Sequence, residues 1–369
     1  MELALVFLQL GTTAFGGPAA HIAMMENEFV RKRGWISQSE FLDRLAAASL
    51  IPGPSSTEVA IFIGHSKRGW AGLIVAGSCF IIPAAILVTL IAMAYVRFGS
   101  LPQVAGILYG IKPAVIAIIV QALWGLGRTA AKTRLLAAIG IACVVLNALG
   151  VAPLTVLAFA AVASGAEGLL KTKRSMGWIL VPKSCALLAA AAVLAAPVSL
   201  VRLFLSFLKI GSVVFGSGYV LLAFLRAEFI DRLHWLTEKQ LIDAVAVGQF
   251  TPGPVFTTAT FIGYVVAGVR GSILATVAIF LPGFILVALS GPLLPKIRRS
   301  LLAAAMLDGV VIGSLALMVV VAWQLGRAAI VDWRTLVIFV ISATLLLRYR
   351  INSAWVIAGA GLVGWIVQM

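Results

Sequence analysis

Residues 50–64 read LIPGPSSTEVAIFIG, and residues 250–263 read FTPGPVFTTATFIG. Each writes the breaker triplet Pro-Gly-Pro ahead of a hydroxyl-bearing apolar run that closes on Ile-Gly. The first proline ends an incoming helix and glycine permits a sharp reversal. The second proline suits the first position of an outgoing helix, whose leading amide lacks a partner in any case.

The two copies belong to a longer repeat. Phe15-Gly16 falls on Phe215-Gly216, Glu28-Phe29 on Glu228-Phe229, Trp35 on Trp235 and Asp43 on Asp243, all at an offset of 200. After a one-residue gap the offset is 199, pairing Gly64 with Gly263, Pro83 with Pro282, Gly110 with Gly309 and Trp124 with Trp323. The chain is a tandem duplication, which in a membrane protein is the signature of a secondary transporter with its site at the repeat interface.

Composition places it in the bilayer. The 369 residues are 62% hydrophobic and 11% charged, against about a quarter charged in soluble domains. Stretches such as 70–95, 103–125, 272–289 and 303–323 suit the roughly 20-residue helices that cross a hydrocarbon core. Met1 leads through one acid into apolar sequence, without the basic segment of a signal peptide. Cys79, Cys143 and Cys185 sit in apolar runs as packing residues. The net charge of +15 lies in short loops and reads as orientation in the membrane rather than nucleic-acid binding. His21, His65 and His234 are isolated, so no metal site is expected. Walker, dinucleotide and nucleophile-elbow motifs are absent, so ATP-driven transport and ordinary soluble enzymology lose their usual signatures and no cofactor or enzyme activity is expected.

The expected fold is an all-α integral membrane protein of two inverted-topology repeats with broken, re-entrant helical hairpins. The first repeat takes residues 1–170 and the second 201–369, with a linking transmembrane helix within 171–200. Residues 3–30, broken at Phe15-Gly16-Gly17-Pro18, and 41–64, broken at Pro52-Gly53-Pro54, read as re-entrant pairs. Spans 70–95 and 103–125 follow, then short arms 135–147 and 152–168. With this inversion sixteen basic residues, Arg31 to Arg33 and Lys171 among them, share one face and eight the other. That excess makes the first face cytoplasmic, in a bacterial-type inner membrane.

Irregular backbone at membrane depth is tolerated only where it is buried in protein or lines a watery cavity. The outgoing half-helices begin with Ser55, Ser56, Thr57 and Glu58 in one repeat and with Val255, Phe256, Thr257 and Thr258 in the other. Amides and hydroxyls at a helix N-terminus form a partially positive nest suited to an oxyanion. Gly17-Pro18 and Gly216-Ser217-Gly218 supply two further helix ends. Prolines that merely kink ordinary spans, with Ser and Thr bonding back to their own helix, are the plainer alternative.

Ionisable residues inside apolar runs carry functional hypotheses. Glu58 is the candidate proton-coupling carboxylate, because burial and a neighbouring anion both favour its protonated form. His21, one turn past FGGP, is a second candidate titrating group or donor. Lys112 lies mid-span and either faces the anion or is neutralised by Asp308, which opens the partner span and is the third coupling candidate. Lys209 reads as a snorkelling residue, and Glu28 and Glu228 as surface ion-pair partners.

Taken together, FGGPAAHIAMMENEFV, LIPGPSSTEVAIFIGHSKRGWAG, FGSGYVLLAFLRAEFI and DAVAVGQFTPGPVFTTATFIGYVVAG resemble the chromate ion transporter family in its long, two-domain form. The resemblance covers nearly the whole chain. It implies two homologous halves of opposite topology and chromate efflux driven by membrane potential or proton gradient, with sulfate a close competitor. It assigns the site to Gly16, Gly17, Pro18, Pro52, Gly53 and Pro54, with Gly216, Pro252, Gly253 and Pro254. Two positions depart from it: Ser55 stands where asparagine is frequent, and Phe62 where histidine is.

The expectation is therefore a secondary transporter that exports a chromate-like tetrahedral oxyanion by alternating access. A dianion leaving a negative-inside cell gains about 2.3 kcal/mol per charge per 100 mV. Proton-coupled uptake of sulfate or another oxyanion, and an anion channel, are the alternatives. Lipid is the constant partner, and the apolar exterior is compatible with a homodimer.

Overall fold

The computed structural model describes the chain apart from residues 16, 100, 131, 173–197, 216, 217, 219, 291–299 and 369. The linking helix expected before residue 200 therefore lies mostly outside the described residues, as do Gly16, Gly216, Ser217 and six of the basic residues used for orientation. The described residues form an all-α integral membrane protein, with no strand among them and four helices long and apolar enough to cross a bilayer.

In the first repeat these are α1 (Glu2–Thr13), α2 (Gly17–Glu26, continued by a π turn at Asn27–Lys32), α3 (Gln38–Ala48), α4 (Ser55–Phe98), α5 (Pro102–Ala130), α6 (Arg134–Ala148) and α7 (Pro153–Thr172). The second contains α8 (Leu200–Val213), α9 (Leu221–Leu225, continued by a π turn at Arg226–Arg232), α10 (Glu238–Phe250), α11 (Thr258–Ser290), α12 (Leu301–Ala329), α13 (Trp333–Leu347) and α14 (Ser353–Gln368). Even the helix starts repeat. Ser37 with Glu40 and Thr237 with Gln240 form capping boxes on α3 and α10, and each satisfies two amides that a helix end leaves open.

Helix α4, at 44 residues, would reach about 66 Å if straight, at 1.5 Å per residue. It reverses instead at Arg68 and Gly69, where Gly69 has φ 56°. The turn is repeated at Ala267 and Gly268, where Gly268 has φ 61°. The arms on either side of each turn pack glycine to glycine, Gly64 on Gly72 and Gly263 on Gly271, so close that a Cβ at either position would meet the opposite carbonyl. Thr260 and Thr276 join hydroxyls across the second reversal at 2.8 Å. The expected span at 70–95 is thus the outgoing arm of this hairpin.

Helix α4 packs on α1 and α11, and α11 packs on α8. The later helices exchange partners between repeats. Helix α5 lies against α13 and α14, and α12 against α6 and α7. Both exchanges close on a glycine: Gly110 abuts the Ala360 carbonyl and Gly309 the Ala160 carbonyl. Small residues let helix backbones approach closely where lipid leaves little hydrophobic drive for association.

Candidate functional site

The helix breaks of both repeats meet in one place. Helix α1 ends at Ala14, whose backbone is extended (φ −80°, ψ 92°), and α8 ends likewise at Val214. Each leaves a terminal carbonyl without an intrahelical donor. The Gly53 amide donates to the Val214 carbonyl at 2.7 Å, and the Gly253 amide to the Ala14 carbonyl at 2.9 Å. Each Pro-Gly-Pro turn therefore closes the broken helix of the other repeat. The glycines have φ of 138° and 91°, a region costly for any residue with a Cβ.

Within the first repeat, His21 joins the two breaks. It is buried, with Nε2 3.0 Å from the Ala14 carbonyl. A carbonyl can only accept, so Nε2 carries the proton and Nδ1 accepts from the Ser56 hydroxyl at 3.4 Å. Within the second, Gly218 faces Val255 and Phe256 at the start of the outgoing helix. Gly17 has φ 77° and opens α2 directly, with Pro18 next.

Pro54 and Pro254 sit one position before their helices, as caps, and not at the first helical position expected from the sequence. Their carbonyls take the next amides: Thr57 at 2.7 Å and Glu58 at 3.2 Å bond to Pro54, and Thr257 at 3.0 Å to Pro254. The donor nest is correspondingly smaller than expected. The hydroxyls contract it further in the second repeat, where Thr257 Oγ1 donates to Pro254 and Thr258 Oγ1 to Val255, both at 2.8 Å. These two side chains bond back to the backbone and do not point donors into the break. Thr57 Oγ1, fully buried, makes no hydrogen bond.

Glu58 is 0% exposed, and neither carboxyl oxygen has a hydrogen-bond partner. Its carboxyl folds back over Gly53 and lies beside Gly283 of α11, so a Cβ at Gly53 would collide with Oε1 and one at Gly283 would stand 3.8 Å from it. On the pseudo-symmetric side the same space is taken by a methyl group, since a Cβ at Gly253 would lie 2.6 Å from the Ala84 Cβ. The first repeat thus supplies both groups, the Glu58 carboxyl beside Gly53 and the Ala84 methyl beside Gly253.

Of the two readings of Lys112, neutralisation by Asp308 is corrected. Lys112 Nζ lies 3.4 Å from Asp243 Oδ1, because α5 packs against α10. Asp308 pairs instead with Lys132 at 2.7 Å in a half-exposed bridge. Lys112 is also remote from the breaks, as Asp243 precedes Pro252 by about 13 Å of helix rise. Tyr95 donates to Asp243 Oδ2 at 2.9 Å. Sequence reasoning did not single out Asp243 or Tyr95, although Asp243 interrupts the apolar run LIDAVAV.

Lys209 does more than snorkel, bonding Glu228 at 3.2 Å beside Ser206 and Arg232. Glu28 forms the expected surface pairs with Arg33 at 2.7 Å and Lys32 at 3.4 Å. Lys209, Glu228 and Arg232, with Arg226, line a cleft of about 440 Å³ between the α6–α7 turn and α8.

Comparisons with known proteins agree with the duplication. The family model described as "Chromate transporter" matches residues 1–165 and again 201–365. The chain is 32% identical over 376 residues to the chromate transport protein of Cupriavidus metallidurans, covering 99% of this chain and 92% of that one. It is 31% identical to the chromate transport protein of Pseudomonas aeruginosa, covering 98% and 91%. An uncharacterized transporter of Methanocaldococcus jannaschii is 27% identical, covering 100% and 94%. No solved structure matches the chain. With both halves matched and relatives above 30% identity aligned nearly end to end, the chain belongs to the chromate transporter family.

Proposed function

We propose that this protein is a secondary active transporter that exports chromate across a bacterial-type cytoplasmic membrane by alternating access. Its two repeats, 1–170 and 201–369, lie in opposite orientations around the site. The observation that carries this reading is the reciprocal bonding of Gly53 to Val214 and Gly253 to Ala14. It holds the two helix N-termini that follow the Pro-Gly-Pro turns against the broken ends of α1 and α8, and helix N-termini attract oxyanions.

The substrate site comprises the leading amides at Ser55, Ser56 and Val255, the Thr57 hydroxyl, and the turns at Gly17-Pro18, Pro52-Gly53-Pro54 and Pro252-Gly253-Pro254. The membrane potential drives a dianion outward. Chromate is the substrate favoured by the names of the two bacterial relatives. The tetrahedral geometry of sulfate makes it the natural competitor.

Glu58 supports a second reading, proton-coupled oxyanion uptake. An ionised carboxylate buried without a partner is costly, so a proton is the natural companion of this side chain when the site is dry. His21, bonded to both breaks, stands next to it as the second candidate.

The deciding experiment is uptake of labelled chromate and sulfate into inverted membrane vesicles under an imposed potential, for wild type, Gly53→Leu and Gly253→Leu. Saturable uptake lost in both variants supports the site, and the preferred anion identifies the substrate. If folded wild-type protein moves neither anion, the proposal fails.

A further inference from the structure

The helices sort into two bodies that do not follow the repeats. Helices α1, α4, α8 and α11 pack together and carry the breaks, with α2 and α3 attached to them, while α9 and α10 lie between them and the remaining helices. Helices α5, α6, α7, α12, α13 and α14 form the other body. Each body draws on both repeats.

The contact between the bodies is lopsided. Helix α10 of the second repeat is seated against α5, α12 and α14, and α9 against α12. Its counterpart α3 packs principally on α4. Burial records the difference residue by residue. Leu42 is 51% exposed where Ile242 is 1% exposed, and Asp43 is exposed where Asp243 is 0% exposed.

An ion pair bridges the seated side. Lys112 reaches Asp243 from the second body at 3.4 Å, while Tyr95 holds the other carboxylate oxygen at 2.9 Å from the first. Asp243 is wholly buried and Lys112 retains 13% side-chain exposure. Such a pair is a poor choice for stability alone, since well-packed apolar residues in its place are often neutral or stabilising. Nor is it duplicated, because the counterpart of Lys112 is Val311. A charged contact on one of two pseudo-equivalent interfaces distinguishes one arrangement of the bodies from its mirror.

We propose that Lys112, Asp243 and Tyr95 are positioning residues for transport, which hold α10 against the second body in one access state and part when the bodies move past each other. This rests on the alternating-access reading and changes its moving parts, from one repeat against the other to the broken-helix body against the exchanged-helix body. Parting admits water to Lys112 and Asp243, so both charges are rehydrated, and Asp243 keeps its bond to Tyr95. The contact is therefore reversible in a way an apolar seal is not.

The test places a reporter cysteine at Ala246, one turn beyond Asp243 on the same helix face and 4% exposed, in a background where Cys79, Cys143 and Cys185 are alanine. Labelling by a membrane-impermeant maleimide is followed in sealed vesicles of each orientation. The variants are Lys112→Met, Asp243→Asn, the charge exchange Lys112→Asp with Asp243→Lys, and the apolar pair Lys112→Met with Asp243→Leu. Labelling from one face is expected to rise about tenfold in both single variants and in the apolar pair. It should return to within about twofold of the parent in the charge exchange. The apolar pair is expected to match the parent in heat stability, so its open labelling separates positioning from mere structural support.

Equal labelling in all variants, or parent-like labelling in the apolar pair, overturns the proposal. Should a single variant fail to fold, the two double variants decide alone. Anion uptake in the same vesicles is a separate readout: if the parent moves neither chromate nor sulfate, the transport reading fails while the labelling still reports whether the ion pair holds the bodies together.

Discussion

The Gly53 amide donates to the Val214 carbonyl at 2.7 Å, across the boundary between the two repeats, and Gly253 returns the bond to Ala14 at 2.9 Å. A Pro-Gly-Pro turn within one repeat could have been a local kink. Two turns that each cap a broken helix of the other repeat tie the halves together where their backbones are irregular. The breaks are consequently a joint property of both halves, and a defect in one turn is felt at the opposite helix end.

Substitution at the two glycines should therefore be costly by different routes. At Gly253 an added Cβ meets the Ala84 methyl at 2.6 Å, a contact that cannot rotate away. At Gly53 it meets the tip of the Glu58 side chain, which can. Both carry the penalty of a positive φ, about 1–3 kcal/mol. Gly253→Ala is expected to lower the thermal unfolding temperature in detergent more than Gly53→Ala does. Adding Ala84→Gly should recover part of the Gly253→Ala loss, leaving the φ penalty. Equal losses that Ala84→Gly does not change would mean that the contact with Ala84 contributes nothing.

The helix exchange makes a second prediction. A Cβ at Gly110 runs into the Ala360 carbonyl and one at Gly309 into the Ala160 carbonyl, whereas Gly125 faces open space. Gly110→Val and Gly309→Val should each lower stability by about 1–3 kcal/mol through overpacking. Gly125→Ala should be neutral or raise stability by up to about 1 kcal/mol through helix propensity. Thermal unfolding of the three variants side by side checks this. Comparable losses at all three positions would remove the case for the α5–α14 and α12–α7 crossings.

Much of this architecture is legible in the residues. Pro-Gly-Pro announces the breaks, and the apolar runs around 104–124 and 303–323 become α5 and α12. Partner exchange is not legible, because in lipid every face of a span is apolar and periodicity no longer says which side meets protein. Only small residues such as Gly110 and Gly309 encode it, and a single glycine in a span does not name its partner. The partner of Lys112 was hidden for a related reason: Asp308 opens the partner span, whereas Asp243 comes from α10, whose packing against α5 no repeat correspondence announces. The hydroxyls after Pro254 were read as donors to a ligand, but a free carbonyl one turn back is the nearer acceptor, as commonly happens to threonine in a first helical turn.

Away from the long spans, Glu28 makes a prediction about acid stability. The Arg33 guanidinium at 2.7 Å, with Lys32 beside it, holds this carboxyl below its ordinary value of 4.5. A carboxylate with a depressed folded value contributes stability that is complete above about pH 4.5 and is lost as pH falls through the lower folded value. The pair is partly exposed at the surface, so the contribution is discounted for solvent screening to under about 1 kcal/mol. Glu28→Gln should lower stability at neutral pH by up to that amount and leave the low-pH limit unchanged, so the acid side of the profile flattens. An acid limb identical to wild type would show that the pair contributes nothing.

The coupling role proposed for Glu58 has a direct test. Its carboxyl lies between Gly53 and Gly283 and has no hydrogen-bond partner, while the Ala84 methyl lies against the other Pro-Gly-Pro turn at Gly253. An ionised carboxylate buried without a partner is costly, and that observation carries the proposed proton. Glu58→Gln keeps the volume and removes the proton-exchanging oxygen, so it is expected to fold and to retain anion flux driven by an imposed potential. Accumulation driven by a pH gradient should fall at least tenfold if this carboxyl carries the proton. Measuring both fluxes in one vesicle preparation separates the cases. Loss of both assigns Glu58 to anion binding or folding, retention of both removes it from coupling, and selective loss of the gradient-driven flux identifies the carboxyl as the proton carrier.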